Sequence, residues 1–185
     1  MRCCTSFSFV GALALILSAG AVRAENASAY DSWAKLKPGS SVTVKTISEA
    51  SGQKTEMEMT YVLDSVTPEK AVVDVKTSMV VAGNKMDLPA RKQDIPKVAA
   101  GGAAPTPAPS TPTPDIKQSE DTVKIGDKSY NCHVVEATSD NSGMKTTSKT
   151  WTCPEVPNMM VKMEASTTGT IASKTSMTVT KIDLK

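Results

Sequence analysis

Between residues 41 and 81 apolar and polar side chains alternate with the two-residue period of half-buried strands. Val42 and Val44 point one way, then Met57, Met59, Tyr61 and Leu63, then Val73, Val75, Met79 and Val81. Turn signals at Ser51-Gly52 and around Thr67-Pro68 separate the runs. Folding about Ser51-Gly52 sets Val44 opposite Met59, Val42 opposite Tyr61 and Lys45 opposite Glu58. Folding about Thr67 sets Met59 opposite Val75, Tyr61 opposite Val73 and Glu58 opposite Lys76. Lys45, Glu58 and Lys76 then form a charged row across three strands, and the pattern predicts a β-meander.

The carboxy-terminal half predicts strands near 122–125, 129–138, 145–153, 159–165 and 176–184, with a tight Gly126-Asp127 turn between the first two. A hairpin about Ser142-Gly143 places Cys132 opposite Cys153, Val134 opposite Trp151 and Glu136 opposite Lys149. An apolar pair, an opposite-charge pair and a bridgeable thiol pair from one register predict a disulfide-stapled hairpin. The strings Ser-Gly-x-Lys-Thr at 51–55 and 142–146 echo each other, which shared turn chemistry explains. At the other end, Tyr30, Trp33 and Leu36 recur at helical spacing before Pro38-Gly39, predicting a short helix.

From Pro89 to Asp115 the chain contains PKVAAGGAAPTPAPSTPTPD, in which prolines deny ladder hydrogen bonds and nothing apolar is large enough to make a core. The segment at about 97–115 is expected to be a flexible loop. Its flanks are each too small to be comfortable alone, so residues 25–185 read as a single domain. The expected fold class is all-β with minor α: a single curved antiparallel sheet of about seven to nine strands. It forms a half-barrel or open barrel with a short N-terminal helix and the long Pro-rich loop.

Residues 1–24 change the picture of composition. Arg2, an apolar run from Phe7 to Ala19 and Val22-Arg23-Ala24 make a secretory signal peptide. The run is shorter than the roughly 20 residues of a membrane span, and no later stretch approaches that length. Removing Arg2 and Arg23 takes the 21 basic residues to 19, equal to the 19 acidic ones, so the mature chain carries no net charge. No basic block remains to follow phosphates, which disfavours nucleic acid as a partner. The expected location is exported, periplasmic or secreted. Of four cysteines, Cys132 and Cys153 remain, an even pair where disulfides persist. Asn26-Ala27-Ser28 is a sequon whose use depends on the host.

Candidate chemistry is sparse. His133, the one histidine, falls on the face opposite Cys132 and beside Val135 rather than a carboxylate, so neither a hydrolytic triad nor a zinc site can be assembled on it. Serines and threonines lack an activating base, and no glycine-rich phosphate loop occurs. No catalytic residue, metal ligand or cofactor is assigned. Methionine is the unusual count, ten in the chain. Met57, Met59, Met79, Met163 and Met177 fall on the apolar phase of their strands, where thioethers fill space. A soft methionine- and valine-lined face also suits loose apolar ligands. The candidate ligand-binding residues are Met57, Met59, Tyr61, Val75, Met79, Trp151, Val161 and Met163.

The segment 149–164, with Trp151, Cys153-Pro154, Val156-Pro157 and Val161-Lys162-Met163, resembles the carboxy-terminal part of uncharacterised exported bacterial proteins, as does Gly126-Asp127-Lys128-Ser129-Tyr130-Asn131-Cys132 upstream. These are similar to the half-barrel of the lipoprotein-carrier (Lol) group, whose curved sheet cups an apolar ligand. The expected function is therefore an exported, non-enzymatic binding or accessory protein, with a hydrophobic small molecule, lipid or protein partner on its concave face. The alternatives are copper binding in the periplasm through methionines, notably the cluster Met159, Met160 and Met163, and a purely structural or interaction role.

Overall fold

The computed structural model describes residues 29–81, 83–97, 114–141, 143–169 and 172–185. The expected signal peptide and nearly all of the Pro-rich loop lie outside the described residues. Helix α1 (Ala29–Ala34) is followed by β1 (Ser41–Ala50), β2 (Gln53–Val66), β3 (Lys70–Val81), β4 (Asn84–Pro96), β5 (Asp115–Ile125), β6 (Lys128–Asn141), β7 (Met144–Thr152), β8 (Met160–Thr168) and β9 (Ser173–Asp183). The strands form one antiparallel sheet in the order β4-β3-β2-β1-β9-β8-β7-β6-β5. The sheet is open, and β4 and β5 are its two edges. Only the β1–β9 pairing departs from a simple meander.

Hairpin chemistry sets the registers. Ser51 and Gly52 both have positive φ, 50° and 75°, the backbone of a two-residue turn whose twist matches its strands. Val44 accordingly faces Met59, Val42 faces Tyr61 and Lys45 faces Glu58. The hairpin of β6 and β7 pairs Val134 with Trp151 and Glu136 with Lys149, as the alternation predicted. The β2–β3 register differs from the expectation by two residues. Tyr61 faces Val75, Met59 faces Thr77 and Glu58 faces Ser78, so Lys76 leaves the charged row. The cause is a longer turn closed by Thr67, whose N–H donates to the Lys70 carbonyl at 2.8 Å, and an extra residue, Asp64, bulged out of β2.

Strand β4 was not expected, because Pro89 argued against one. Proline is tolerated here because β4 is an edge and the ladder shifts register between Val75/Arg91 and Thr77/Leu88, leaving Pro89 in the irregularity. Further shifts fall between Thr43 and Val44 against β9 and between Trp151 and Thr152 against β8. Bulges bend their strands and deepen the local twist. The curl is strong enough to bring β5 back toward β9, although β6, β7 and β8 separate them in the ladder.

In the β1–β4 half of the sheet, core packing concentrates at one end of one face. Val42, Leu63, Ala71, Val73 and Val75 are fully buried there beneath Trp33 of α1. The Trp33 indole N–H donates to Asn158 Oδ1 at 2.8 Å, and the Tyr30 hydroxyl donates to the Thr67 carbonyl at 2.7 Å. These two bonds tie the helix to the loop after β7 and to the β2–β3 turn. The cluster extends through Val156 of that loop to Cys153, Cys132, Tyr130 and Val134.

Candidate functional site

Following the registers across the sheet, Met86 of β4 faces Met79, Met79 faces Met57, Met57 faces Thr46, Thr46 faces Met177, and Met177 faces Met163. Five methionines thus lie in one transverse row, on the same face as Val42 and Val44 and farther from the helix. Met59 stands two residues along β2 on that face. Its sulfur accepts a hydrogen bond from the Tyr61 hydroxyl at 3.5 Å. Burial, opposed in part by Arg91, pushes the half-buried Tyr61 phenol above its ordinary pKa.

Packing fades along this face. Val42 and Val73 are fully buried, Met57, Met59, Met79, Met163 and Met177 are half-buried, and Met86 is 48% exposed. Among the described residues, the large apolar side chains most open to solvent are Val81, Met86, Leu88, Ile116, Met144 and Leu184. The registers put the first five of these on the methionine face. Val81, Met86 and Leu88 border Met57, Met59 and Met79 directly, so β2, β3 and β4 share a contiguous open apolar patch. Such patches commonly mark interaction sites.

The predicted ligand-binding residues do not all join this patch. Met57, Met59, Tyr61 and Met79 do, and Met163 lies along the row beyond Thr46 and Met177. Val75 (1% exposed) and Val161 (0%) sit on the closed, core part of the sheet and offer no free surface. Trp151 is on the opposite face, in the row Val134–Trp151–Lys162–Thr178–Lys45. There its indole N–H donates to Asp121 Oδ2 at 2.9 Å, and Lys162 and Lys149 lie over its ring at 4.4 and 5.2 Å. The indole donor holds the Asp121 carboxyl below its ordinary range. Met86, Leu88 and Val81 were missing from the expected set. The alternation of Met86 and Leu88 could have shown two of them.

The predicted Cys132–Cys153 disulfide is not formed, and both residues are buried free thiols. Ladder pairing stops at His133–Thr152, and Cys153 turns away to donate its N–H to the Met159 carbonyl at 2.7 Å. Cys132 Sγ instead donates to the Tyr130 carbonyl at 3.5 Å. Burial, with the neighbouring Cys153 thiol adding to it, pushes the Cys132 thiol up to about 11. His133 does meet a carboxylate, contrary to expectation: β5, longer than predicted, places Glu120 opposite it, with Oε1 at 3.1 Å from Nδ1. The pair is exposed, and among the described residues no metal-binding cluster forms around it.

The copper cluster expected from Met159, Met160 and Met163 is not assembled. Met159 lies in the loop before β8, and Met160 faces Thr152 near the bulge, whereas Met163 belongs to the transverse row. On the face away from the methionines, a shallow depression of about 160 Å³ is lined by Ile47, Glu49, Lys54, Lys174 and Ser176. Glu56 sits near it, 2.8 Å from both Lys45 Nζ and Lys54 Nζ, and these cations hold its carboxyl down at about 2.

No protein-family model and no curated protein matches the chain. A crystal structure from Bacteroides fragilis, described as a "putative exported protein with YmcC-like fold", is similar with a TM-score of 0.43 and 14% identity, over 80% of this chain and 97% of that one. The likeness to the lipoprotein-carrier group is not among these findings. No described helix is long and apolar enough to cross a membrane.

Proposed function

We propose that this is an exported, non-enzymatic binding protein that holds an apolar group against the open patch of Met57, Met59, Met79, Met86, Leu88 and Val81. The observation behind this reading is the concentration of solvent-open apolar side chains on one sheet face, continuous with half-buried methionines. Unbranched thioether side chains re-pack around ligands of varied shape at low cost, which suits an acyl chain or similar flexible apolar group. Export rests on the signal-peptide pattern of residues 1–24.

The test is fluorescence titration of the purified protein with N-phenyl-1-naphthylamine, followed by displacement with a fatty acid. Saturable enhancement, displaced by the fatty acid and lost in Met79→Glu and Met57→Glu variants of unchanged circular dichroism, is expected. Absence of enhancement, or enhancement indifferent to both substitutions, would overturn the proposal.

A further inference from the structure

We infer that Met57, Met79 and Met86 together form a thioether site for a soft monovalent cation, copper(I) in nature. This goes beyond the apolar reading of the same face, because it depends on sulfur rather than on hydrophobicity.

The registers supply the adjacency. The three residues occupy directly opposed positions on three successive strands, Met57 against Met79 and Met79 against Met86. Directly opposed residues have Cβ atoms roughly 5 Å apart, and neighbouring strands are spaced by about 4.8 Å. The outer two Cβ atoms are therefore about 10 Å apart, with Met79 between them. Each sulfur lies two bonds beyond its Cβ, so inward rotation of Met57 and Met86 brings three sulfurs around a point above Met79. Methionine has the free torsions to do this, and Met86, at 48% exposure, has the space.

Chemistry selects the ion. Thioethers are soft, neutral donors that favour copper(I) over zinc or the hard divalent cations. A site of neutral ligands on a solvent-open patch leaves the single positive charge partly hydrated, which a divalent ion would tolerate less well. Thioethers do not protonate in the ordinary pH range, so this site keeps its ligands at acidic pH, where imidazole and thiol sites release metal. Met59, also nearby, is distinguished by the hydrogen bond that its sulfur already accepts from Tyr61. Met163 and Met177 form a separate pair, set apart from Met57 by Thr46.

The experiment is a titration of silver(I), a redox-inert stand-in for copper(I), into purified protein carrying ¹³C-methyl methionine, read by NMR at about pH 5. Resonances are assigned through the single variants Met57→Leu, Met79→Leu and Met86→Leu. We expect the methyl signals of these three residues to move together and saturate at about one equivalent, with Met163 and Met177 unmoved. The triple leucine variant should lose the response. Methyl signals that do not move, or shifts confined to other methionines, would overturn the inference, as would a silver response that persists without change in the triple variant. Reading the methyls keeps binding at Cys132 and Cys153 separate. Naphthylamine binding and its displacement by fatty acid are measured on the unsubstituted protein without silver, so the two proposals can fail independently.

Discussion

The two ends of one sheet face have been built from different side chains, and the difference is instructive. Under helix α1 the inward positions are Val42, Leu63, Val73 and Val75, stiff or branched residues sealed by Trp33. Along the same strands, away from the helix, they become Thr46, Met57 and Met59, Thr77 and Met79, all half-buried. Farther still come Ser48 and Thr55. Branched side chains with few rotamers specify a single close packing, whereas methionine adapts and specifies little. One end therefore determines the fold, and the other is free to meet something else.

Substitution should separate the two ends sharply. Trp33→Ala removes a fully buried indole, its bond to Asn158 and the packing of α1 on β2, β3 and β4, and should cost about 3–5 kcal/mol in urea denaturation. Met79→Ala, at a half-buried position, should cost only about 1 kcal/mol. Equal losses would mean that the methionine row is sealed core like the helix-covered end. Met86→Ala, on the edge strand, should be smaller still, within about 0.5 kcal/mol.

Alternation made most of the sheet readable in the sequence. The β1–β2 and β6–β7 registers followed from tight turns whose residues announce themselves, and the helix followed from Tyr30, Trp33 and Leu36. The β2–β3 register did not, because a bulged Asp64 and a longer turn shift pairing without any marked change in alternation. Strand β4 hid behind Pro89, which an edge bulge accommodates. The candidate site was half legible: Met57, Met59 and Met79 showed their phase, but the transverse row exists only once β9 pairs with β1, a contact between chain ends that periodicity cannot reveal. Trp151 was grouped with the methionines, but pairing with Val134 and Lys162 places it on the opposite face.

The thiol pair extends the comparison to the buried side of the molecule. Cys132 is fully buried and its pKa is raised to about 11 from an ordinary 9.0, so the folded state holds its proton longer than the unfolded one. The sign follows from linkage: stability is intact below about pH 9 and falls as pH rises toward about 11, where the unfolded chain has released the proton and the folded one has not. Reduced protein should show this loss in denaturation midpoints, and Cys132→Ala should flatten it. A slope that survives that substitution would assign the titration to other groups. In the native state both thiols should react slowly with maleimide at about pH 8, because the thiolate is the nucleophile and neither sulfur is exposed.

The smallest effect belongs to the exposed charges on the face away from the methionines. Glu56 has its pKa lowered from 4.5 to about 2, first by the hydrogen bonds it accepts from Lys45 and Lys54. A lowered carboxylate pKa means stability present above about pH 4.5 and lost as the pH falls toward about 2. Both partners are well exposed, so solvent and salt screen the pairs, and Glu56→Gln should change stability at neutral pH no more than an ordinary surface substitution. The measurable consequence is in the acid arm: the variant should lose part of the pH dependence below about pH 4.5 at low salt, and that difference should vanish at about 1 M salt. A large loss at neutral pH would instead show that this charged face contributes to folding as the helix-covered end does, leaving the methionine patch as the one region of the sheet not committed to its own packing.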